Sequence, residues 1–180
     1  MSVTSTRHLP RGSGNSGFTL IELIITVALV AILLAVALPS FREINIGMNV
    51  SSNTNELIGA LNLARSEAVK RGRDVAVVAS DGANWANGWE VNVVGDPEKL
   101  QERPGYGDYP LLAISSGGGD DASIVFGSAG NLRESIAYDF SVCRPTTHPG
   151  ARGSRWIHVE GSGVITSRKD TSASPAGECE

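Results

Sequence analysis

At 180 residues with a formal charge of −4, the chain has room for one soluble domain beyond any anchor. The acidic balance excludes a nucleic-acid binder driven by net field and leaves only a local basic patch for such a role.

The segment from Met1 to Gly17 carries Arg7 and Arg11, no acids and no apolar stretch of its own. That argues against an ordinary secretory signal, in which an apolar core precedes the cut. Its loss takes the net charge to about −6. The run FTLIELIITVALVAILLAVAL, Phe18 to Leu38, follows directly and is apolar except at Thr19, Glu22 and Thr26. As a helix it is about 31 Å long at roughly 1.5 Å per residue, the thickness of a bilayer hydrocarbon core. A carboxylate inside such a span costs on the order of 3 kcal/mol, so Glu22 calls for a partner, although its place one turn from the start relieves part of that cost at the headgroups. Arg7 and Arg11 precede the span, and only Arg42 and Glu43 follow it closely. The amino terminus is therefore expected in the cytoplasm and the rest in the periplasm, on a single pass of the inner membrane.

Gly17-Phe18-Thr19-Leu20-Ile21-Glu22 resembles the processing site of type IV prepilins and pseudopilins. The resemblance implies cleavage between Gly17 and Phe18 by a prepilin peptidase, N-methylation of Phe18, a subunit-assembly role for Glu22 and a helix bend at Pro39. It also implies other major and minor pilins or pseudopilins and an inner-membrane assembly platform as partners. Physically, Glu22 is suited to pair with the Phe18 amine of a neighbouring subunit when helices bundle out of lipid. Opposite charges attract strongly in that low dielectric, which fixes axial register.

Pro39 lacks an N–H, so a bend is expected near Ala35 to Pro39. From Phe41 to Asn55 the helical pattern weakens through Gly47, Ser51, Ser52, Asn53 and Asn55, and Asn53 with Glu56 reads as the cap of a restarted helix. Leu57, Leu61, Ala64 and Ala68, with Ile58 beside them, then form one apolar stripe, while Asn62, Arg65, Glu67 and Arg71 face away. Gly72 stops the helix behind Lys70 and Arg71.

Beyond Arg73 the period changes to two. DVAVVA (Asp74 to Ala79) and WEVNVV (Trp89 to Val94) read as a hairpin around Asn87-Gly88. Asp96 to Pro110 reads as a loop, with a short strand at Leu111 to Ser115 and a glycine turn over Gly117 to Asp121. Strands follow at Ser123 to Phe126, Ile136 to Cys143 and Trp156 to Glu160, and Gly163 to Ser167 closes a terminal hairpin. The fold class is α+β: a long N-terminal helix, membrane-spanning in its first half, packed on an antiparallel sheet domain. The expected divisions are 1–17 leader, 18–38 transmembrane or filament-core helix, 39–72 amphipathic continuation and 73–180 β-rich domain.

Cys143 and Cys179 belong to no CxxC pair, and in an oxidising compartment their default is a disulfide contributing roughly 4 kcal/mol. It would pin the polar tail SRKDTSASPAGECE. A metal held with His148 or His158 is the less favoured alternative.

This outline is similar to the GspH/FimT/FimU branch of minor pilins and pseudopilins. The matching pieces are Ala64-Arg65-Ser66-Glu67-Ala68, Gly88-Trp89-Glu90-Val91, Val125-Phe126 ahead of Gly130, the two cysteines, and the closing hairpin Trp156 to Ile165. DNA-receptor members carry Gly-Arg-x-Arg near the last strand, where this chain reads Gly163-Val164-Ile165-Thr166 with Arg168 and Lys169 out of register.

No nucleophile elbow or phosphate-binding glycine loop is present, so no enzyme and no cofactor is expected. Trp85, Trp89 and Trp156 read first as core or hairpin packing and second as stacking platforms. His158 reads as structural, and Asp120-Asp121 as a solvated turn rather than a calcium site. Arg144, Arg152, Arg155, Arg168 and Lys169 read first as scattered solvated charge and second as a phosphate-contacting edge. The expected function is a structural minor pilin serving a type IV pilus. A type II secretion pseudopilus subunit and a pilus-borne DNA receptor are the alternatives.

Overall fold

A computed structural model describes residues 17–115 and 121–179. The leader before Gly17 and most of the glycine turn expected over Gly117 to Asp121 lie outside them. The chain divides into two units, one ending at Phe41 and the other beginning at Arg42.

One helix, α1 (Leu20–Arg71), runs through both, with Pro39 inside it. The restart expected at Asn53 is absent, because polar side chains in the weak stretch stay tied to their own helix. Ser51 Oγ donates to the Gly47 carbonyl at 2.8 Å and Thr54 Oγ1 to the Val50 carbonyl at 2.7 Å. Tertiary contacts then override propensity. Asn53 Oδ1 accepts from Arg103 Nη2 at 3.0 Å, and Glu56 pairs with the same guanidinium. The buried stripe therefore starts earlier than the pattern predicts, at Ile46, and runs through Val50, Leu57, Leu61, Ala64 and Ala68. Gly72, at φ 61°, ends the helix in the left-handed region, and the Arg73 N–H reaches back to the Ala68 carbonyl at 3.3 Å.

The strands form two four-stranded antiparallel sheets. The first has the order β3-β2-β1-β5, from β1 (Val75–Ala79), β2 (Gly88–Val93), β3 (Lys99–Pro104) and β5 (Ser123–Phe126). The second has the order β4-β6-β7-β8, from β4 (Leu111–Ser115), β6 (Tyr138–Val142), β7 (Arg155–Val159) and β8 (Ile165–Lys169). Strand β3 occupies part of the expected Asp96–Pro110 loop. Its sequence KLQERP has no apolar alternation, since it is a largely exposed edge held by charge. Lys99 Nζ meets Glu90 Oε1 at 2.6 Å, and Arg103 meets Glu56. The last strand also runs further than the pattern suggests. With Val159 opposite Ile165, Arg168 and Lys169 fall inside β8, and Arg168 lies opposite Trp156.

A single core joins both sheets and the helix. Trp85 packs edge-on against Phe140 with ring centroids 5.0 Å apart. Trp89 is fully buried and donates Nε1–H to Tyr106 Oη at 2.7 Å. Burial pushes the Tyr106 hydroxyl up to about 12.

The β7–β8 turn depends on one close approach. Gly163 has φ 82°, and a Cβ there would lie 2.1 Å from the Gly130 carbonyl oxygen. Gly163→Ala is expected to cost at least about 2 kcal/mol, combining a strained backbone with a forced separation of the two turns. Thermal melting of the full chain, monitored by circular dichroism, should fall by roughly 5 °C or more.

Candidate assembly surface and functional site

The first candidate site begins at Phe18. From Gly17 to Phe41 every residue is exposed, including Phe18, Leu20, Ile21, Leu33 and Val36. This part of α1 makes it the one helix among the described residues long and apolar enough to cross a membrane. Its polar side chains are almost all satisfied from within. Thr19 Oγ1 accepts from the Glu22 N–H at 3.3 Å and so caps the helix start. Thr26 Oγ1 donates to the Leu23 carbonyl at 2.8 Å, and Ser40 Oγ to the Val36 carbonyl at 3.4 Å. The Glu22 carboxylate forms no ion pair among the described residues. The surface is thus a greasy rod carrying a single uncommitted charge, one turn from its beginning.

Of the basic residues singled out in the sequence, Arg155 lies opposite Lys169 in the β7–β8 ladder and Arg144 lies against Gly153, between Arg152 and Arg155, while Arg168 falls on the other face of β8. Arg144 Nη2 holds both carboxylate oxygens of Glu43, at 2.9 and 2.8 Å, and its Nε donates to the His148 carbonyl at 3.0 Å. Arg155 Nη2 reaches Ser51 Oγ at 3.2 Å, and Arg152 lies near Asp170. Arg168 instead sits over the Trp156 ring, 5.4 Å from its centroid. Cys143 and Cys179 are joined in a disulfide, and both are buried. Ser141 Oγ lies 2.7 Å from both Ser174 Oγ and the Gly177 carbonyl, so the tail is fastened along its length.

The polar loop before β2 is ordered by Asp81. Its carboxylate accepts from the backbone N–H of Ala83 and Asn84 at 3.0 and 2.7 Å, and from Asn87 Nδ2 at 2.7 Å. These bonds, that from Asn87 foremost, hold its carboxyl down at about 2.

Sequence reasoning missed Asp139, which is 2% exposed in β6. Its Oδ1 accepts from Trp156 Nε1–H and from His158 Nδ1, each at 2.7 Å. The available signal was an acid between two aromatics in an otherwise buried strand, Tyr138-Asp139-Phe140. Among the described residues no group of three or more His, Cys, Asp or Glu side chains is placed to hold a metal.

Two family models match the chain. The prokaryotic N-terminal methylation motif covers residues 12–38, the exposed apolar rod and the residues leading into it. The model for the type II transport protein GspH covers residues 53–163, most of the globular unit. The chain belongs to the GspH family. Two fimbrial proteins of Pseudomonas aeruginosa are each 36% identical to it over 64 residues, 36% of this chain. The chain spans about two-fifths, 41%, of the length of these curated relatives. The fold of this GspH-family chain is that of crystal structures of the type IV minor pilin FimU from the same organism. One matches with a TM-score of 0.57 at 23% identity, over 70% of this chain and 92% of FimU. A second crystal form matches with a TM-score of 0.54 at 24% identity, over 69% and 96%. The expected type IV pilin-like α+β architecture is therefore the observed one.

Proposed function

We infer that this chain is a non-enzymatic minor pilin, inserted through the Phe18–Leu38 rod into a type IV pilus and assembled with other pilins. The observation that carries this reading is the wholly exposed apolar helix, with its polar side chains satisfied internally except Glu22, lying within an N-terminal methylation motif. A helix that must leave lipid and pack among its own kind needs such a surface. Before assembly the chain is a single-pass inner-membrane protein with its globular unit in the periplasm, and a prepilin peptidase and an assembly platform act on it. The divisions at Gly17, Leu38 and Gly72 belong to this reading, as does a bend at Pro39.

The test is the mass of the membrane form. In cells with an active prepilin peptidase the chain should begin at a methylated Phe18. A product that retains Met1 to Gly17 in such cells would reduce the reading to that of a tethered domain.

A pseudopilus subunit of type II secretion is a second reading, supported by the GspH model over residues 53–163. Recovery of the chain with sheared surface pili rather than with secretion components separates the two. The DNA-receptor reading has less support, because Arg144 and Arg155 are engaged inside the globular unit.

A further inference from the structure

The outer face of the second sheet carries a built cavity that the assembly role does not use. Cross-strand registry places Asp139, His158 and Thr166 in one row, and Ser141, Trp156 and Arg168 in the next. The tail fastens over the Ser141 end, and a Cβ on Gly177 would lie 3.2 Å from Leu112. Toward β8 the face stays open, and Trp156, His158, Thr166 and Arg168 line a cavity of about 150 Å³. That is too small for a drug-sized ligand, whose sites run to roughly 300 Å³ and above, and suits a single ring.

The chemistry of the lining is specific. Asp139 lies beneath the cavity and spends one carboxylate oxygen on two ring N–H groups, fixing the orientation of both rings. A buried carboxylate costs several kcal/mol unless its hydrogen bonds are met, so this one is a positioning residue rather than a filler. Because His158 Nδ1 faces that carboxylate at 2.7 Å, Nε2 is the ring nitrogen left to meet a ligand. Arg168 makes no ion pair among the described residues, and Thr166 adds a hydroxyl. The site therefore offers an indole ring with a guanidinium lying over it that has no carboxylate partner among the described residues, an imidazole nitrogen and a hydroxyl.

We propose that this cavity binds one ring of an acidic polysaccharide, a uronate unit. Its carboxylate meets Arg168, its apolar ring face lies on Trp156, and a ring hydroxyl, which can donate or accept, bonds His158 Nε2. A phosphodiester chain fits less well. It needs a track of cations that Arg144 and Arg155 do not supply, being engaged elsewhere.

The full-length protein in detergent is titrated with an oligouronate, with a neutral malto-oligosaccharide of equal length and with single-stranded DNA. Tryptophan fluorescence and calorimetry are the readouts. Trp85 and Trp89 are buried, so a fluorescence change reports Trp156. The oligouronate should saturate below about 10 mM and bind at least about tenfold more tightly than the neutral sugar. Arg168→Gln, at an exposed strand edge, should weaken it by about tenfold with the melting temperature unchanged. Trp156→Leu should abolish the fluorescence change. No saturation, equal binding of the neutral sugar, undiminished binding by Arg168→Gln, or tighter binding of DNA would each overturn the proposal. None of these results bears on the filament reading, which the mass of the membrane form tests separately.

Discussion

Glu22→Ala should leave the chain in the membrane while its recovery in sheared filaments falls by about a hundredfold or more. In the proposed fibre the carboxylate meets the Phe18 amine of a neighbour, where water is scarce. Removing one partner of a buried pair strands the other charge and costs about 3–5 kcal/mol, or two to three decades in an equilibrium. Insertion itself becomes easier, since the span loses a carboxylate that costs on the order of 3 kcal/mol in lipid. Thr26→Ala is the control, because that hydroxyl already donates to the Leu23 carbonyl and offers a neighbour little. Immunoblots of membrane and filament fractions, compared for the two variants, give the result. Unchanged incorporation of Glu22→Ala would remove the pairing role.

Replacing both cysteines, Cys143→Ser with Cys179→Ser, should lower stability by roughly 4 kcal/mol and the melting temperature by about 10 °C. The bond closes a loop that contains β7 and β8, so its loss enlarges the unfolded ensemble chiefly in the second sheet. Hydrogen exchange should rise first from Thr171 to Cys179, where hydrogen bonds, those of Ser141, Ser174 and Thr171 among them, then hold the tail without the covalent link. A melting temperature within about 2 °C of the parent would mean that those polar contacts suffice without the covalent link.

The parts of this molecule that rest on apolar period were legible in its sequence, and the parts held by polar contacts were not. The run from Phe18, the stripe Leu57-Leu61-Ala64-Ala68 and the β1–β2 hairpin each repeat at the spacing that their structure demands. The stretch from Gly47 to Asn55 looked like a break, because propensity ignores Thr54 bonding back to Val50 and Arg103 arriving from a distant strand. Strand β3 was hidden for the same reason, its pairing being written in charges rather than in alternation. The basic residues pose a different problem. Closeness in sequence around Cys143 did not reveal that Arg144 is committed to Glu43 while Arg168 stands opposite Trp156. Asp139 could be noticed as an oddity, yet its two ring partners sit on another strand.

The edge strands have a further consequence if, as proposed, the chain packs among other pilins. β3 presents Lys99, Glu102, Arg103 and a closing Pro104, and β8 ends in Arg168 and Lys169. Unpaired backbone flanked by such groups resists zipping onto an identical strand, since long charged side chains would lose water and the proline has no N–H to give. Copies are thereby discouraged from fusing through these two margins into an amyloid-like ribbon, and in the proposed fibre cohesion is left to the greasy rod.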